Sequence, residues 1–468
     1  MLLQIIYFIK LLTTLSLFIF CKEYFTEKWL YTKLYQDIIN CGCITIKFTQ
    51  WIISRINILY EKETIPPSLN QFKNLLEQCP KHKYSYTKHI FYQTYGIDIE
   101  DLIILEKQPI ASGSIGQVYK GYFRHNKQPI AIKIKHPNLK QQIFLPKYFI
   151  LIITYILNLF KSQYRIPIEL SDFFINLEEQ LDFNHERANM DRLKKHFDTN
   201  HLVIIPETYL STRDIFIMAY EEGTALCDEV LKTYNKYKIA VTLVLILKQG
   251  LLIDNFMHGD LHHKNWKIRP YNKQDYQIIL YDTGLCYSSQ DITINRKFLK
   301  AWDTFNINMI SSISLQILGY NTQKNIPKIK ELNSRLEHKI SGFISISKVI
   351  KITYQFVKEN NLMLNGAYLN LVISLAIMED IFKTHGIIPE DNEITIDIKE
   401  FNMQGYTDNI NFCETKKVFL ELSNYLKQFV NNNLIDNTIK QYESVESSLN
   451  NTPSKTSSES QSKISISI

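Results

Sequence analysis

The chain has 468 residues, enough for several domains and a sizeable core, and a mild net charge of +6. Its 53 basic residues are spread along the sequence, which argues against a nucleic-acid-binding protein with a clustered basic face. The seven cysteines form no C-x-x-C pair, so scattered reduced thiols and a reducing compartment are expected rather than a disulfide framework.

The first predicted element is MLLQIIYFIKLLTTLSLFIFC, apolar apart from a few polar residues, chiefly Gln4 and Lys10. As a helix it would be about 31 Å long, near the thickness of a bilayer. Residues 1–25 are therefore read as a hydrophobic segment that anchors the chain to a membrane. A signal peptide fits less well, because no positive charge precedes the run and no A-x-A site follows it. A buried or interfacial helix is the remaining reading.

Residues 26–95 read as a helical extension, broken at Ile65-Pro66-Pro67. From about 97 to 135 the pattern changes to short β-like pieces separated by glycine. Residues 138–200 return to helix; the run YFILIITYILNLF (148–160) is too short to span a membrane and is expected as a core helix. Two strand-like pieces follow in 202–221. Residues 224–256 read as helix, 277–285 as strand and 292–432 as mostly helix. The Ser-rich tail from 441 is almost without large core-forming residues apart from its last few and is expected to be disordered. The resulting division is an N-terminal segment (1–25), a helical extension (26–95) and a small β-containing lobe with a helical insert (96–221). A helical lobe (222–400), a helical C-terminal segment (401–440) and a tail (441–468) complete it.

Four short motifs carry chemistry. In IASGSIGQVYKG (110–121), three of the fourteen glycines, Gly113, Gly116 and Gly121, fall close together. Glycine permits the positive φ and close backbone approach of a loop that covers phosphates. In AIKIKHP (131–137), Lys133 lies on an alternating strand, as in the kinase pattern V-A-I-K, although Lys135 shares its face and spacing cannot choose between them. FMHGDLHHKN (256–265) holds His258, Asp260 and Asn265 in the spacing H-x-D-x-x-x-x-N of a kinase catalytic loop. Its histidines also invite a metal reading, but no zinc-type spacing supports one. In YDTGLC (281–286), Asp282 ends a strand just before a glycine, where a magnesium-binding Asp of the D-F-G type would stand. The order of the four predicts an α+β, bilobal protein-kinase-like fold with a nucleotide site between the lobes.

These residues resemble the UbiB family of atypical kinases, also called the aarF-domain-containing or ADCK proteins. PIASGSIGQVYKG is similar to that family's Ala-rich loop, HGDLHHKN to its H-A-D-x-H-P-G-N, and YDTG to its version of D-F-G. LDFNHERANMDRL (181–193) looks like its L-D-[FY]-x-x-E-A-x-N helix, and IKFTQWIISR (46–55) like its K-x-G-Q signature. The resemblance runs from about 40 to 390.

The resemblance implies ATP and Mg2+ as cofactors. Asp282 and Asn265 would ligate the metal, Lys133 would meet phosphate while held by Glu186, and Asp260 would stand in the catalytic-base position. Ala111, Ser112, Gly113, Ser114, Ile115, Gly116, Gln117 and Val118 would form the nucleotide loop, with Met218 and Tyr220 at the hinge. Lys47, Gln50 and Asp182 would be regulatory positions. It also implies a role in membrane lipid or prenyl-quinone metabolism, through ATP hydrolysis more than protein phosphorylation, and a mitochondrial location. A true protein or small-molecule kinase, or a pseudokinase scaffold with protein partners, are the alternatives.

The sequence departs from the family pattern at Thr49 (Gly in K-x-G-Q), Gln180 (Glu in E-x-D), Gly113, Lys264 and Ala219. With the charge at 180 lost, Lys47 is expected to pair with Asp182 or Glu179.

Overall fold

The computed structural model of the chain describes most residues between 2 and 381. Residues 60–65, 160–169, most of 231–249, 340–345 and all beyond 381 lie outside the described residues. The segments expected at 401–440 and 441–468, and the middle of the helix expected at 224–256, fall there.

Three helices open the chain: α1 (Leu2–Phe20), α2 (Glu27–Cys41) and α3 (Cys43–Leu59), followed by a 3-10 stretch at Pro67–Leu76. Thr26 starts α2 by accepting a hydrogen bond from the Trp29 N–H, and Gly42, with φ 98°, permits the sharp turn into α3. These elements enclose a core of their own around Phe8, Leu11, Tyr31, Ile38, Ile46 and Phe72. Within it, buried Thr14 of α1 donates to buried Asp37 of α2 at 2.6 Å, and Lys33 pairs with the same carboxylate at 2.8 Å.

The expectation of a spanning anchor is corrected by this packing. Among the described residues no helix is long and apolar enough to cross a membrane. One face of α1 is committed to its neighbours and to a carboxylate, which hydrocarbon would not tolerate. Its other face still exposes Ile5, Ile6, Ile9 and Leu12.

Helix α4 (Tyr84–Tyr95) is ended by Gly96 in the left-handed region. Its Phe91 is fully buried against Tyr119, Ile130, Ile132 and Ile217 of the following sheet. The small lobe thus recruits α4, and its body begins before the expected boundary at 96. The strands are β1 (Ile103–Leu105), β2 (Ala111–Ser112), β3 (Gly116–Phe123) and β4 (Pro129–Lys135), then β5 (Val203–Ile204), β6 (Thr208–Ser211) and β7 (Ile215–Ala219). The antiparallel small-lobe sheet runs β1-β3-β4-β7-β6, with β2 added on β3.

Between β4 and β5 lie α5 (Phe144–Leu159), α6 (Ser171–Gln180) and α7 (Phe183–His196). The expectation that 148–160 forms a core helix is also corrected. In α5, Leu145 and Phe149 join the core of the extension and Phe149 meets Phe8 of α1 at 5.2 Å, but Phe144, Tyr148, Leu151, Ile152 and Tyr155 are exposed. An apolar run says that a helix is greasy all round, not that every side has a neighbour.

The large lobe begins with short strands: β8 (Met257–His258), β9 (Trp266–Pro270), β10 (Tyr276–Leu280) and β11 (Cys286–Tyr287). β5 pairs parallel with β10, β10 antiparallel with β9, and β11 with β8. Helices α8 (Ile292–Asp303), α9 (Ile307–Ile317), α10 (Ile326–Lys339) and α11 (Ile346–Glu359) complete it. One continuous core runs through Phe183, Phe216, Met218, Trp266, Ile278, Phe298 and Phe356, joining the inner face of the small-lobe sheet to the large lobe.

Candidate active site

The site is assembled where that core reaches the surface between the lobes. Lys133 lies near the end of β4, between neighbours β3 and β7 that fix its direction. Its ammonium donates to Glu186 of α7 at 2.7 and 2.8 Å and contacts Asp282 at 3.4 Å. Lys135 points the same way along the strand, as a period of two requires. Its partners differ: it pairs with Asp214 and donates to the Leu181 and Arg213 carbonyls, a purely structural set. The structure therefore separates the two lysines that spacing left equal.

Glu186 is nearly inaccessible, and a clamp fixes it from below. Buried Thr283 donates from Oγ1 to the Glu186 carbonyl at 2.9 Å, and Asn189, three residues on along α7, donates to the Thr283 carbonyl at 3.0 Å. Residues i and i+3 share a helix face, so Glu186 and Asn189 both reach the segment that carries Asp282.

The catalytic loop is folded by its own polar groups. His258 is buried, and its Nδ1 accepts from the Asp260 N–H at 3.1 Å. Asn265 donates to the Asp260 carbonyl at 2.8 Å, and its own N–H donates to the His262 carbonyl. His262 stands 3.5 Å from the Asp260 carboxylate. A metal cluster of histidines is not the arrangement: His258 holds the loop, and among the described residues no group of three or more His, Cys, Asp or Glu side chains is placed to hold a metal ion.

Electrostatics keep the two aspartates ionised. Desolvation acts to raise Asp282, but Lys133 and then Lys47, with the Gly284 N–H, outweigh it and hold the carboxyl at about 2. Desolvation also acts to raise Asp260, and His262 with Lys47 brings it well below the ordinary range. For His262 burial acts downward and the Asp260 charge prevails, so its net shift is upward. Burial dominates at Glu186 and pushes it up to about 7, against the attraction of Lys133.

Lys47 of α3 gives the largest difference from expectation. No ion pair joins it to Asp182 or Glu179. Asp182 instead caps α7, accepting the Asn184 N–H. The charge of Lys47 acts on Asp260, Asp282 and Glu186, so the extension brings a cation close enough to lower all three. Phe48 and Trp51 anchor that helix by packing on Phe173 of α6 at 5.2 and 5.0 Å. Gln50 turns away, donating to the Leu75 carbonyl at 2.7 Å.

The nucleotide loop differs in detail from its reading. None of Gly113, Gly116 and Gly121 has positive φ. A Cβ at Gly116 would lie 2.6 Å from the Ile134 oxygen, and one at Gly121 would lie 2.7 Å from the Ile104 oxygen. These two glycines let strands approach; at Gly113 a Cβ would meet only the Gly116 oxygen, at 3.7 Å. Gln117 is fully buried and hydrogen-bonded to the chain before α4, so its side chain faces away from the cleft. Ser112 and Ser114 are buried too, while Ala111 is exposed and Ile115 partly buried. Val118 and Tyr220 pack against the inter-lobe core beside Ala131 and Met218, which pair across β4 and β7. This apolar wall is the part of the cleft suited to a flat heterocycle.

In the sequence His262 reads first as a candidate metal ligand and then as a loop residue beside Asp260, with no role of its own. The signal was there: it follows Asp260 by two residues in H-x-D-x-H.

Residues 74–309 match the model of the ABC1 atypical kinase-like domain. The chain belongs to the ABC1 atypical kinase-like family. It is 26% identical over 260 residues to a probable serine/threonine-protein kinase, abkC, of Dictyostelium discoideum, covering 54% of this chain and 37% of that protein. It is 26% identical over 348 residues to a mitochondrial ABC1 family protein of Schizosaccharomyces pombe, covering 66% of this chain and 47% of that one. The matches thus span less than half the length of these relatives. Among solved structures, the complex of Rv3197 with erythromycin from Mycobacterium tuberculosis aligns at 15% identity and a TM-score of 0.40, over 71% of this chain and 90% of that one. For an ABC1 member, the small antiparallel lobe, the α7 glutamate and the catalytic loop form a kinase-like α+β fold.

Proposed function

We propose that this ABC1 family chain is an ATP-using enzyme that hydrolyses ATP or transfers its γ-phosphoryl group, working at a membrane surface in lipid or prenyl-quinone metabolism. The observation that carries the nucleotide reading is the cluster in which Lys133 meets Glu186 and Asp282 beside the loop of Asp260 and Asn265. The carboxylates of Asp282 and Asp260 and the amide oxygen of Asn265 are hard oxygen donors, the type that magnesium takes. Asp282 and Asn265 would hold the ion, which would supply neutralisation of phosphate charge. Lys133, held by Glu186, would meet the phosphates. Asp260, kept ionised beside His262, would orient the attacking hydroxyl or water. The name of the Dictyostelium relative supports phosphoryl transfer, and that of the fission-yeast relative supports a mitochondrial location.

Hydrolysis is favoured over protein phosphorylation by α3. The charge of its Lys47 bears on the acidic cluster and its Phe48 and Trp51 are packed on Phe173, so a protein substrate would have to compete with the chain's own helix. The membrane reading rests on α1 and α5. The two helices contact each other, and both expose apolar and aromatic side chains. Neither contains an aspartate or glutamate; their only charges are Lys10 and Lys147. Such a surface suits the boundary of an anionic lipid layer, on which the helices would lie without crossing it.

One preparation tests both parts. The full chain with Mg-ATP is expected to release phosphate slowly, and Asp260→Asn to abolish the release. Release unchanged in that variant would sink the enzymatic reading. With anionic phospholipid vesicles the chain is expected to float, and Ile9→Lys with Ile152→Lys to remain in the soluble fraction. Equal flotation of both proteins would overturn the membrane assignment.

A further inference from the structure

A chain of buried polar groups outside the site ends on the nucleotide loop. It starts in the segment that leaves the helical extension. Cys79 belongs to the core of the extension, and three residues later His82 lies against His136, the residue after β4, with ring centroids 5.0 Å apart. His82 Nδ1 and His136 Nδ1 are 2.8 Å apart. His136 Nε2 is 3.0 Å from the Gly113 carbonyl, and the His136 N–H donates to the Ile115 carbonyl at 2.9 Å. On the other side, His82 Nε2 is 3.0 Å from Thr87 Oγ1, which is 2.8 Å from the Tyr119 hydroxyl. Gln117 donates to that hydroxyl, and its amide also clasps the backbone of His82, accepting its N–H at 3.1 Å and donating to its carbonyl at 3.2 Å.

The direction of every hydrogen bond follows from the last one. A carbonyl only accepts, so His136 carries its hydrogen on Nε2 and presents a lone pair at Nδ1. The short contact then requires a hydrogen on His82 Nδ1, which leaves His82 Nε2 to accept from Thr87. Thr87 must accept from Tyr119, and Tyr119 from Gln117. The sequence Gln117, Tyr119, Thr87, His82, His136, Gly113 has one polarity throughout, with neutral imidazoles. Burial favours that state in both rings, with each lowered from its ordinary value and His82 brought to about 4. Upstream, Gln50 of α3 donates to the Leu75 carbonyl and stands 4.0 Å from Cys79 Sγ.

We propose that His82 and His136 are a positioning pair that ties the helical extension to the nucleotide loop, holding Gly113 and Ile115 at the height needed to cover a bound nucleoside triphosphate. The proposal rests on the nucleotide reading above. It makes the route from α3 to the loop continuous: Gln50, the 3-10 stretch, His82, His136, Gly113. Both ring nitrogens of each histidine are taken up by protein partners, so neither is offered to the nucleotide.

The test uses the full chain at pH 7.5 and titrates a fluorescent ATP analogue with magnesium. His136→Gln can place an amide N–H where Nε2 stands and keep the bond to Gly113. His136→Asn is of similar size but places its amide near Nδ1, facing a donor, and leaves the Gly113 carbonyl unpaired. Asn is expected to weaken nucleotide affinity about 10-fold and Gln about 2-fold or less, in line with one hydrogen bond. Amide exchange at residues 111–118 without nucleotide is expected to rise in the Asn variant and not in the Gln variant. Equal affinity of the two variants, or unchanged exchange in both, would overturn the pair's role. If the wild-type chain binds no nucleotide, the underlying reading fails first. If it binds and loses binding with Asp282→Ala while both His136 variants bind normally, only the positioning role fails.

Discussion

Lys133→Ala is expected to destabilise the fold by about 3–5 kcal/mol at pH 8, the usual consequence of leaving one member of a buried ion pair without its partner. Lys133 is 12% exposed and Glu186 3%, so little water can replace the lost ammonium. The sign of the pH dependence follows from Glu186. Its carboxyl is already raised to about 7 with Lys133 present, and the variant removes the influence that lowers it. Unfolded, a glutamate titrates near 4.3. From there up to about 7 both folded proteins hold a proton that the unfolded chain has lost, so both lose stability as pH rises; above that only the folded variant still holds it, so its stability goes on falling where that of wild type does not. The difference from wild type is therefore expected to be smaller at pH 5.5 than at pH 8. Other groups that titrate in this range are common to both proteins and cancel in the comparison. Denaturant midpoints at the two pH values decide the matter; a loss that is the same at both, or larger at pH 5.5, would remove Glu186 from this account.

Asp282→Ala is expected to abolish stabilisation of the chain by Mg-ATP. A ligand present at 100 times its Kd adds about 2.7 kcal/mol to a protein that binds it only when folded, which a melting curve resolves readily. Asp282 is held at about 2, so it is a full anion at any working pH. It is also the half-exposed member of the trio with Lys133 and Glu186, open to a ligand from the cleft. Without ligand the substitution should cost little, because Glu186 still satisfies Lys133. A variant whose melting temperature still rises with Mg-ATP as in wild type would place the metal-bound phosphates elsewhere.

The part of the site that a motif could name was legible in the sequence. Lys133, Glu186, Asp260, Asn265 and Asp282 come together because each sits at a fixed offset on an element whose periodicity the sequence also displays. What the sequence could not show were relations between elements. Lys47 was assigned a partner by charge counting along the chain, but its helix is positioned by Phe48 and Trp51 packing on Phe173, and its charge bears on the carboxylates of the cleft. Gln117 lay within a nucleotide-binding motif, yet on a strand alternate residues face opposite sides, and its side is the one that meets His82. Gly116 was read as allowing positive φ or close approach over phosphates; the approach it allows is that of the Ile134 carbonyl across the strand pair. The exposed side of α5 was hidden for a similar reason, since an apolar run does not announce a missing neighbour.

The helix that exposes those side chains occupies a particular place along the thread. Lys133 and Glu186 are 53 residues apart, and α5 belongs to the excursion that they close. A second ion pair within it, Lys147 of α5 with Glu178 of α6 at 2.8 Å, fastens the outer helix to the segment leading into α7. The excursion is a handle whose two roots are Lys133 and the glutamate that holds it. A surface that held α5 would therefore hold a part of the chain that leaves from one partner of the pair and returns to the other.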